Sequence, residues 1–324
     1  MKYCIYATVF NNALTLEESI KSVWRSDATI VITDNFSTDG TWERLQELRK
    51  DYNLMLYRLR STRGKGRDYS LKYCPENSMT TYFDLDMKYN ESFHKILEWA
   101  PENSRTLVNL INGFVVKKEI MLEKGSWRDL NRAEDWEVVS RVGFDYFIPA
   151  LMHEELHNEL ARERRYAKGL NYYTRRLRNK LDVIRGLGYN WNDINIVYSQ
   201  HPIAYKILVN SPSYILAKLM GIYRNYKDYN NGVGVILSAL DKLINLKEIG
   251  VDEKYFLFGG WWGFFSVYNL DKIIDAKLPI KVGEVKKLLC NDDGLRYIKT
   301  LEGFNLIQLA SSLKDKLECH EFTP

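Results

Sequence analysis

Five stretches of this 324-residue sequence combine residue types that can do chemistry. In "FDLD", Asp84 and Asp86 stand one residue apart at the end of an apolar run. On a strand, residues i and i+2 point to the same side. Two carboxylates held together repel unless a cation joins them, and a hard divalent ion with oxygen ligands suits the pair. A solvated turn would look the same. In "VITDNFSTDGT", Asp34 ends an apolar run before a polar, glycine-containing turn. That turn offers backbone N–H groups and a carboxylate to a polar ligand; Thr38 or Asp39 can instead cap the next helix. In "STRGKGRDYS", Gly64 and Gly66 allow close backbone approach, and Arg63, Lys65 and Arg67 supply positive charge. Such a loop suits a phosphate, although the P-loop spacing is absent and an exposed basic turn reads alike. In "RAEDWEVVSR", Glu134 and Asp135 open a predicted helix with Trp127 and Trp136 near in sequence. A carboxylate there can take a proton from a hydroxyl, or simply favour the helix dipole. Finally, "HEELH" places His153, Glu154 and His157 at the spacing by which zinc peptidases hold metal and base on a helix.

The elements that must position these residues alternate. "YCIYATVF", "ATIVITD", "LMLYRLR" and "MTTYFDLD" are compact apolar, β-branched and aromatic runs, read as strands. Between them, "TLEESIKSVWR" carries Thr15 and Glu18 at capping-box spacing, and Leu16, Ile20, Val23 and Trp24 on one helical face. "STDGTWERLQELRKDY" becomes a second helix and "DYSLKYC" a short helical piece. The alternation predicts an α/β fold, a mostly parallel sheet flanked by helices, with ligands at the carboxyl ends of the strands. From about residue 150 helical periodicity takes over, with Leu170, Tyr173, Leu177, Leu181 and Ile184 on one stripe. Further helices are predicted in "SPSYILAKLMGIYRNY", "GVILSALDKLINL", "KVGEVKKLLC" and "EGFNLIQLASSLKDKLE". The division expected is a core over 1–160 and a mainly helical C-terminal region over 161–324.

Bulk properties exclude several classes. A charged fraction of 27% and a hydrophobic fraction of 45% are those of a globular chain, not a disordered one. A net charge of +4 is too small for a polycation built for nucleic acid. The longest apolar run, "YFLFGGWWGFFSVY", is shorter than the roughly 20 residues of a spanning helix. Cys4, Cys74, Cys290 and Cys319 are scattered without a C-x-x-C pair, so no disulfide framework and a reducing, cytoplasmic setting are expected. Between Arg162 and Arg185 there are nine Lys or Arg against two acids. That run reads as a lid over an anionic ligand, as a peripheral contact with the inner membrane surface, or as a solvated helix face.

As a set, "VFNNALTLEESIKSV", "VITDNFSTDGT", "RGKGRDYSL", "FDLD" and "RAEDWEVVSR" resemble the family 2 nucleotide-sugar glycosyltransferases of the GT-A fold. The resemblance covers roughly the first 150 residues. It implies metal-dependent, inverting hexosyl transfer from a nucleoside-diphosphate sugar, usually a UDP-sugar, to an acceptor that could be a glycan, a lipid-linked molecule or a protein. Thr8 and Asp34 match positions that contact the base. Lys65, Gly66 and Arg67 match the loop near base, ribose and phosphates. Asp84 matches the ribose-side acid, and Asp86 the ligand of a Mn2+ or Mg2+ that bridges the diphosphate. Asp135 matches the catalytic base, with Glu134 shaping the acceptor side. Trp127, Arg141 and His153 are candidate acceptor or diphosphate contacts. Asn35 and Phe36 depart from the family's usual acid and small residue, which bears on the base. A zinc peptidase through His153 and His157, and a non-catalytic nucleotide-binding protein on the same scaffold, are the competing readings.

Overall fold

The computed structural model describes residues 2–110, 113–156, 170–191, 206–223 and 246–252, with the single residues 194, 203, 242, 244 and 255. Three strand–helix units come first: β1 (Tyr3–Val9), α1 (Leu16–Val23), β2 (Ala28–Asp34), α2 (Thr41–Leu48), β3 (Leu54–Arg58) and α3 (Arg63–Lys72). They are followed by β4 (Met79–Tyr82), β5 (Met87–Tyr89), α4 (Glu91–Asn103), β6 (Leu107–Leu110), β7 (Gly113–Lys117) and α5 (Lys118–Glu123). Then come α6 (Glu134–Val142), β8 (Tyr146–Ile148) and β9 (His153–Glu155).

Seven strands form one sheet in the order β3-β2-β1-β4-β7-β6-β8. The pairs β1–β2, β2–β3, β1–β4 and β6–β8 are parallel, and β7 runs antiparallel to both of its neighbours. This is the mostly parallel, helix-flanked sheet that the alternation predicts. Every residue of β2 is buried, as expected for a strand covered on both faces, which explains why "ATIVITD" shows no polar alternation. Ile5, Ile20, Ile30, Ile32, Leu45, Phe93 and Ile96 meet in the main core.

Four expectations change. "RGKGRDYSLK" is not a loop followed by a short helix but one helix from Arg63, started by the Thr62 hydroxyl, which accepts from the Lys65 N–H. Thr15 does not close a capping box; its hydroxyl donates to the Leu85 carbonyl, 70 residues away. Trp24 leaves the core face of α1 and is 43% exposed. Cys4 and Cys74 form a disulfide, joining β1 to the residues just beyond α3. The scattered spacing hid the pair because the sheet, not the sequence, brings them together, and the cysteine argument for a reducing compartment no longer holds.

After residue 160 the described elements are all helical: α7 (Leu170–Leu187), a π turn (Lys206–Asn210), α8 (Ser211–Met220) and a 3-10 turn (Leu246–Ile249). Leu181 and Ile184 of the expected stripe are buried between α7 and α8. Described residues between Lys242 and Tyr255 meet the sheet: Phe147 N–H donates to the Lys242 carbonyl, Leu151 N–H donates to the Tyr255 carbonyl, and Leu246, Ile249 and Val251 join the main core. The first 160 residues therefore do not close the core alone. Apart from Lys242, Ile244, Leu246 and Tyr255, the helices predicted beyond 223, the basic residues 162–169, the aromatic run and His157, Cys290 and Cys319 lie outside the described residues. No helix among the described residues is long and apolar enough to cross a membrane.

Candidate active site

The site lies at the carboxyl ends of β1, β2, β3 and β4. The turn after β4 carries Asp84 and Asp86, and α1 fixes its backbone. Thr15 holds the Leu85 carbonyl at 2.7 Å and Ser19 the Asp84 carbonyl at 3.2 Å. The Asp84 N–H donates to the Tyr89 hydroxyl at 3.0 Å. With its main chain held this way, the turn leaves both carboxylates half-buried.

Arg67 organises the centre. Its side chain is 2% exposed and lies over the Tyr82 ring, 3.9 Å from the centroid, with the Trp127 ring at 5.0 Å. One terminal nitrogen donates to Asp84 at 2.7 Å and the other to Glu134 at 2.9 Å. Burial opposes ionisation of Asp84, but Arg67, Arg63 and His153 outweigh it and hold its carboxyl below the usual range. Burial pushes Glu134 up; Arg67 and Arg63 draw it back only in part, and Asp135 beside it adds to the rise. One buried cation thus ties the aspartate turn to the first residue of α6.

Asp135 follows Glu134 and is half-buried. Its carboxylate accepts from the Tyr82 hydroxyl at 3.2 Å and from the Trp136 N–H at 2.8 Å. Tyr82 ends β4, two residues before Asp84, so the end of this strand orients Asp135 beside the aspartate turn. The loop leading into α6 is clamped from both sides. Gly64 N–H donates to the Leu130 carbonyl, Thr62 holds Asp129, and the buried Asp182 of α7 accepts from the Asn131 N–H at 2.9 Å. Ala133 is held at φ 58° to turn the chain into the helix.

The glycines of "RGKGRD" permit close approach of neighbouring segments. A Cβ at Gly64 would lie 2.0 Å from the Arg128 carbonyl oxygen, and one at Gly66 2.3 Å from the Thr8 hydroxyl oxygen. Thr8 therefore contacts Gly66 and donates to the Thr33 carbonyl. Lys65 is exposed at the start of α3.

Three candidates stand elsewhere than expected. Trp127 is buried beneath Arg67, its ring N–H donating to the Tyr6 hydroxyl at 2.9 Å, and offers no face to an acceptor. Arg141 pairs with Glu137 at 2.7 Å and donates to the Lys124 and Ser126 carbonyls, fastening a loop. Asp34 is fully buried and its carboxylate is already taken by the Ser37 N–H and by Arg58 at 2.9 Å.

"HEELH" is overturned as a helix. His153, Glu154 and Glu155 form β9, which pairs antiparallel with β5 and sets His153 opposite Tyr89. His153–Glu155 thus lack the helical backbone that a zinc peptidase's motif uses, and His157 lies outside the described residues. Instead β9 brings His153 behind the aspartate turn. Burial lowers its pKa below the usual histidine value, and Asp84 and Asp86 restore only part of it.

Residues 4–160 match the family model described as Glycosyl transferase family 2. Residues 4–160 thus carry a domain of that family, just under half of the chain. Among solved structures, this chain is similar to the mannosyltransferase PcManGT from Pyrobaculum calidifontis in complex with GDP-Man and Mn2+, at 15% identity, 67% coverage of this chain, 73% of that one and a TM-score of 0.46. It is also similar to S. aureus TarS 1-349 in complex with UDP-GlcNAc, at 11% identity, 84% coverage of this chain, 92% of that one and a TM-score of 0.42. No curated protein matches. The matched segment is a glycosyltransferase domain.

A divalent cation is implied by the family. Among the described residues no group of three His, Cys, Asp or Glu side chains is gathered as a metal cage. The donor set nevertheless fits a hard ion of the kind that takes one or two carboxylates and completes its shell with water and substrate phosphates. Asp84 and Asp86 supply the carboxylates on a pinned turn, and the buried imidazole of His153 lies behind them.

Sequence reading missed Tyr82, Tyr89 and Arg58. Tyr82 had a signal: in a strand it shares the side of Asp84. Arg58 had none, because only the β2–β3 register, Asp34 opposite Arg58, places it at the site.

Proposed function

We propose that this family 2 enzyme transfers a hexose, with inversion, from a nucleoside-diphosphate sugar to an acceptor hydroxyl. One observation carries the reading: Arg67 bridges Asp84 and Glu134, so the acids of "FDLD" and "AEDW" share a single buried counter-ion. Asp135 takes the acceptor proton as the hydroxyl attacks the anomeric carbon. Attack from the face opposite the leaving group inverts configuration. Tyr82 keeps the Asp135 carboxylate turned toward the turn. Glu134, paired with Arg67, shapes the acceptor side. Asp86, with Asp84, would hold Mn2+ or Mg2+, which when bound neutralises charge on the departing diphosphate. Lys65 and Arg63, exposed at the start of α3, face solvent where a diphosphate can meet them. The uridine preference implied by the family rests on Asp34, whose carboxylate is already engaged, so the choice of base falls to the residues around it.

The test is a thermal-shift panel of nucleoside diphosphates and their sugars, with Mn2+, with Mg2+ and with chelator. Binding to the native state raises the melting point by linkage. A metal-dependent shift is expected; its absence for every nucleotide would overturn the reading. Hydrolysis or transfer of the bound donor separates the enzyme from a non-catalytic binder.

A further inference from the structure

The end of β2 differs from an ordinary strand–turn–helix in two ways. First, Asp34 has no exposed surface, and both of its oxygens accept from Ser37 N–H, with Arg58 Nε at 2.9 Å on one of them. Full burial behind these donors shuts a ligand N–H out of the carboxylate unless they move. Second, Arg58 has only its Nε engaged; among the described residues no acceptor takes its terminal nitrogens. Its guanidinium carbon lies 4.7 Å from the Phe36 ring centroid and 4.8 Å from that of Trp42, which fixes the plane of the fork. The side chain is one-third exposed.

Phe36 adds an independent sign. It sits at φ 56°, where a bulky residue is strained and glycine is not, yet its ring is 41% exposed rather than packed away. Arg60 flanks it at 5.4 Å. Core packing does not explain holding an aromatic ring there.

An exposed ring beside a fixed guanidinium fork is a site for a planar ligand with two adjacent acceptors. Guanine presents O6 and N7 side by side, the usual target of such a fork. Adenine sets a donor beside N7. Uracil puts an N–H donor between its two carbonyls, so a donor-only reader meets a like group. Cytosine has an acceptor pair, but its single ring covers less of Phe36. Resting on the proposed nucleotide-sugar reading, we infer that the donor is a guanosine-diphosphate sugar, its base read by Arg58 and stacked at Phe36, with Asp34 as the positioning residue behind Arg58.

The experiment measures the Kd of GDP, UDP, CDP and ADP by calorimetry on the full chain with Mn2+. GDP is expected to bind at least about tenfold tighter than the other three, the scale of one bidentate contact. Arg58→Lys, which keeps the charge and loses the fork, should bring GDP close to UDP while changing UDP little. Phe36→Gly, suited to the backbone at that position, is a second variant and should weaken GDP more than UDP. Equal binding of all four, a preference for UDP, CDP or ADP, or a GDP preference that survives both substitutions overturns the inference while leaving a nucleotide enzyme in place. Failure of every nucleotide to bind removes the nucleotide-sugar reading and the base assignment together.

Discussion

Two turns on the same sheet edge carry acids that look equivalent in the sequence, and the structure treats them oppositely. The Asp34 turn is closed: the carboxylate is buried, two donors occupy it, and its arginine faces outward. The Asp84–Asp86 turn is open: its main chain is held by Thr15, Ser19 and Tyr89, its arginine is buried behind it, and the Asp84 side chain is 38% exposed. The position of the arginine decides the role. An arginine in front turns an acid into a support, whereas an arginine behind leaves the acid available to a ligand. The electrostatic cost follows the same division. A buried charge is tolerable only when paired and hydrogen-bonded.

The largest effect should appear where the open turn meets α6. Asp135→Asn removes the proposed proton acceptor but keeps the shape and the Tyr82 contact. Turnover should fall by roughly 10²–10⁴, the usual worth of a positioned base, while donor affinity measured by calorimetry stays within a few-fold. Transfer at the original rate would assign the base elsewhere and break the link between the open turn and catalysis.

Next comes the buried arginine itself. Arg67→Met keeps the volume over Tyr82 but leaves Glu134 buried without its cation. Removing one partner of a buried pair costs about 3–5 kcal/mol, to be read as a lower urea midpoint at unchanged slope. Adding Glu134→Gln should recover part of the loss. No recovery would mean that Arg67 acts by packing alone.

These two cases also show what was legible. The strand–helix alternation, the parallel sheet and the acids at strand ends could all be read, because periodicity and strand-end placement are local. The role of "RGKGRD" could not. Its glycines are set by Arg128 and Thr8, contacts that exist only once α3 lies on β1 and against the loop before α6. The disulfide, the Arg58 partner of Asp34 and the strand at His153 fail for the same reason: each is fixed by register between distant segments. "HEELH" fits helical spacing, yet pairing with β5 overrides it.

Gly66 tests the closed side. A methyl there meets the Thr8 side chain and the Ser61 hydroxyl, all under 3.0 Å. Gly66→Ala should cost about 1–3 kcal/mol, as overpacking does. Thr8→Ser in the same chain removes a methyl but keeps the hydroxyl contact, so it should restore little; Thr8→Gly should restore more. A neutral Gly66→Ala would show that α3 can slide on β1, and that the closed turn is less rigid than its hydrogen bonds imply.

The smallest effect is a pH dependence behind the open turn. His153 is buried and its pKa lies below the ordinary value of 6.5, with burial the chief cause and Asp84 and Asp86 opposing it. The unfolded chain therefore takes up this proton at a higher pH than the folded protein does. Stability from this group is complete above pH 6.5 and is lost as pH falls toward the folded value, by at most about 1.4 kcal/mol per pH unit. Urea unfolding between pH 7.5 and 5.5, with chelator present so that metal release does not contribute, should show this decline, and His153→Gln should flatten it. His94, also held below its ordinary value by burial, keeps a remaining slope in the variant. An unchanged slope in His153→Gln would show that the imidazole is already solvated when the turn is empty. The open turn would then be wetter on its inner side than the pairing of β5 with β9 suggests.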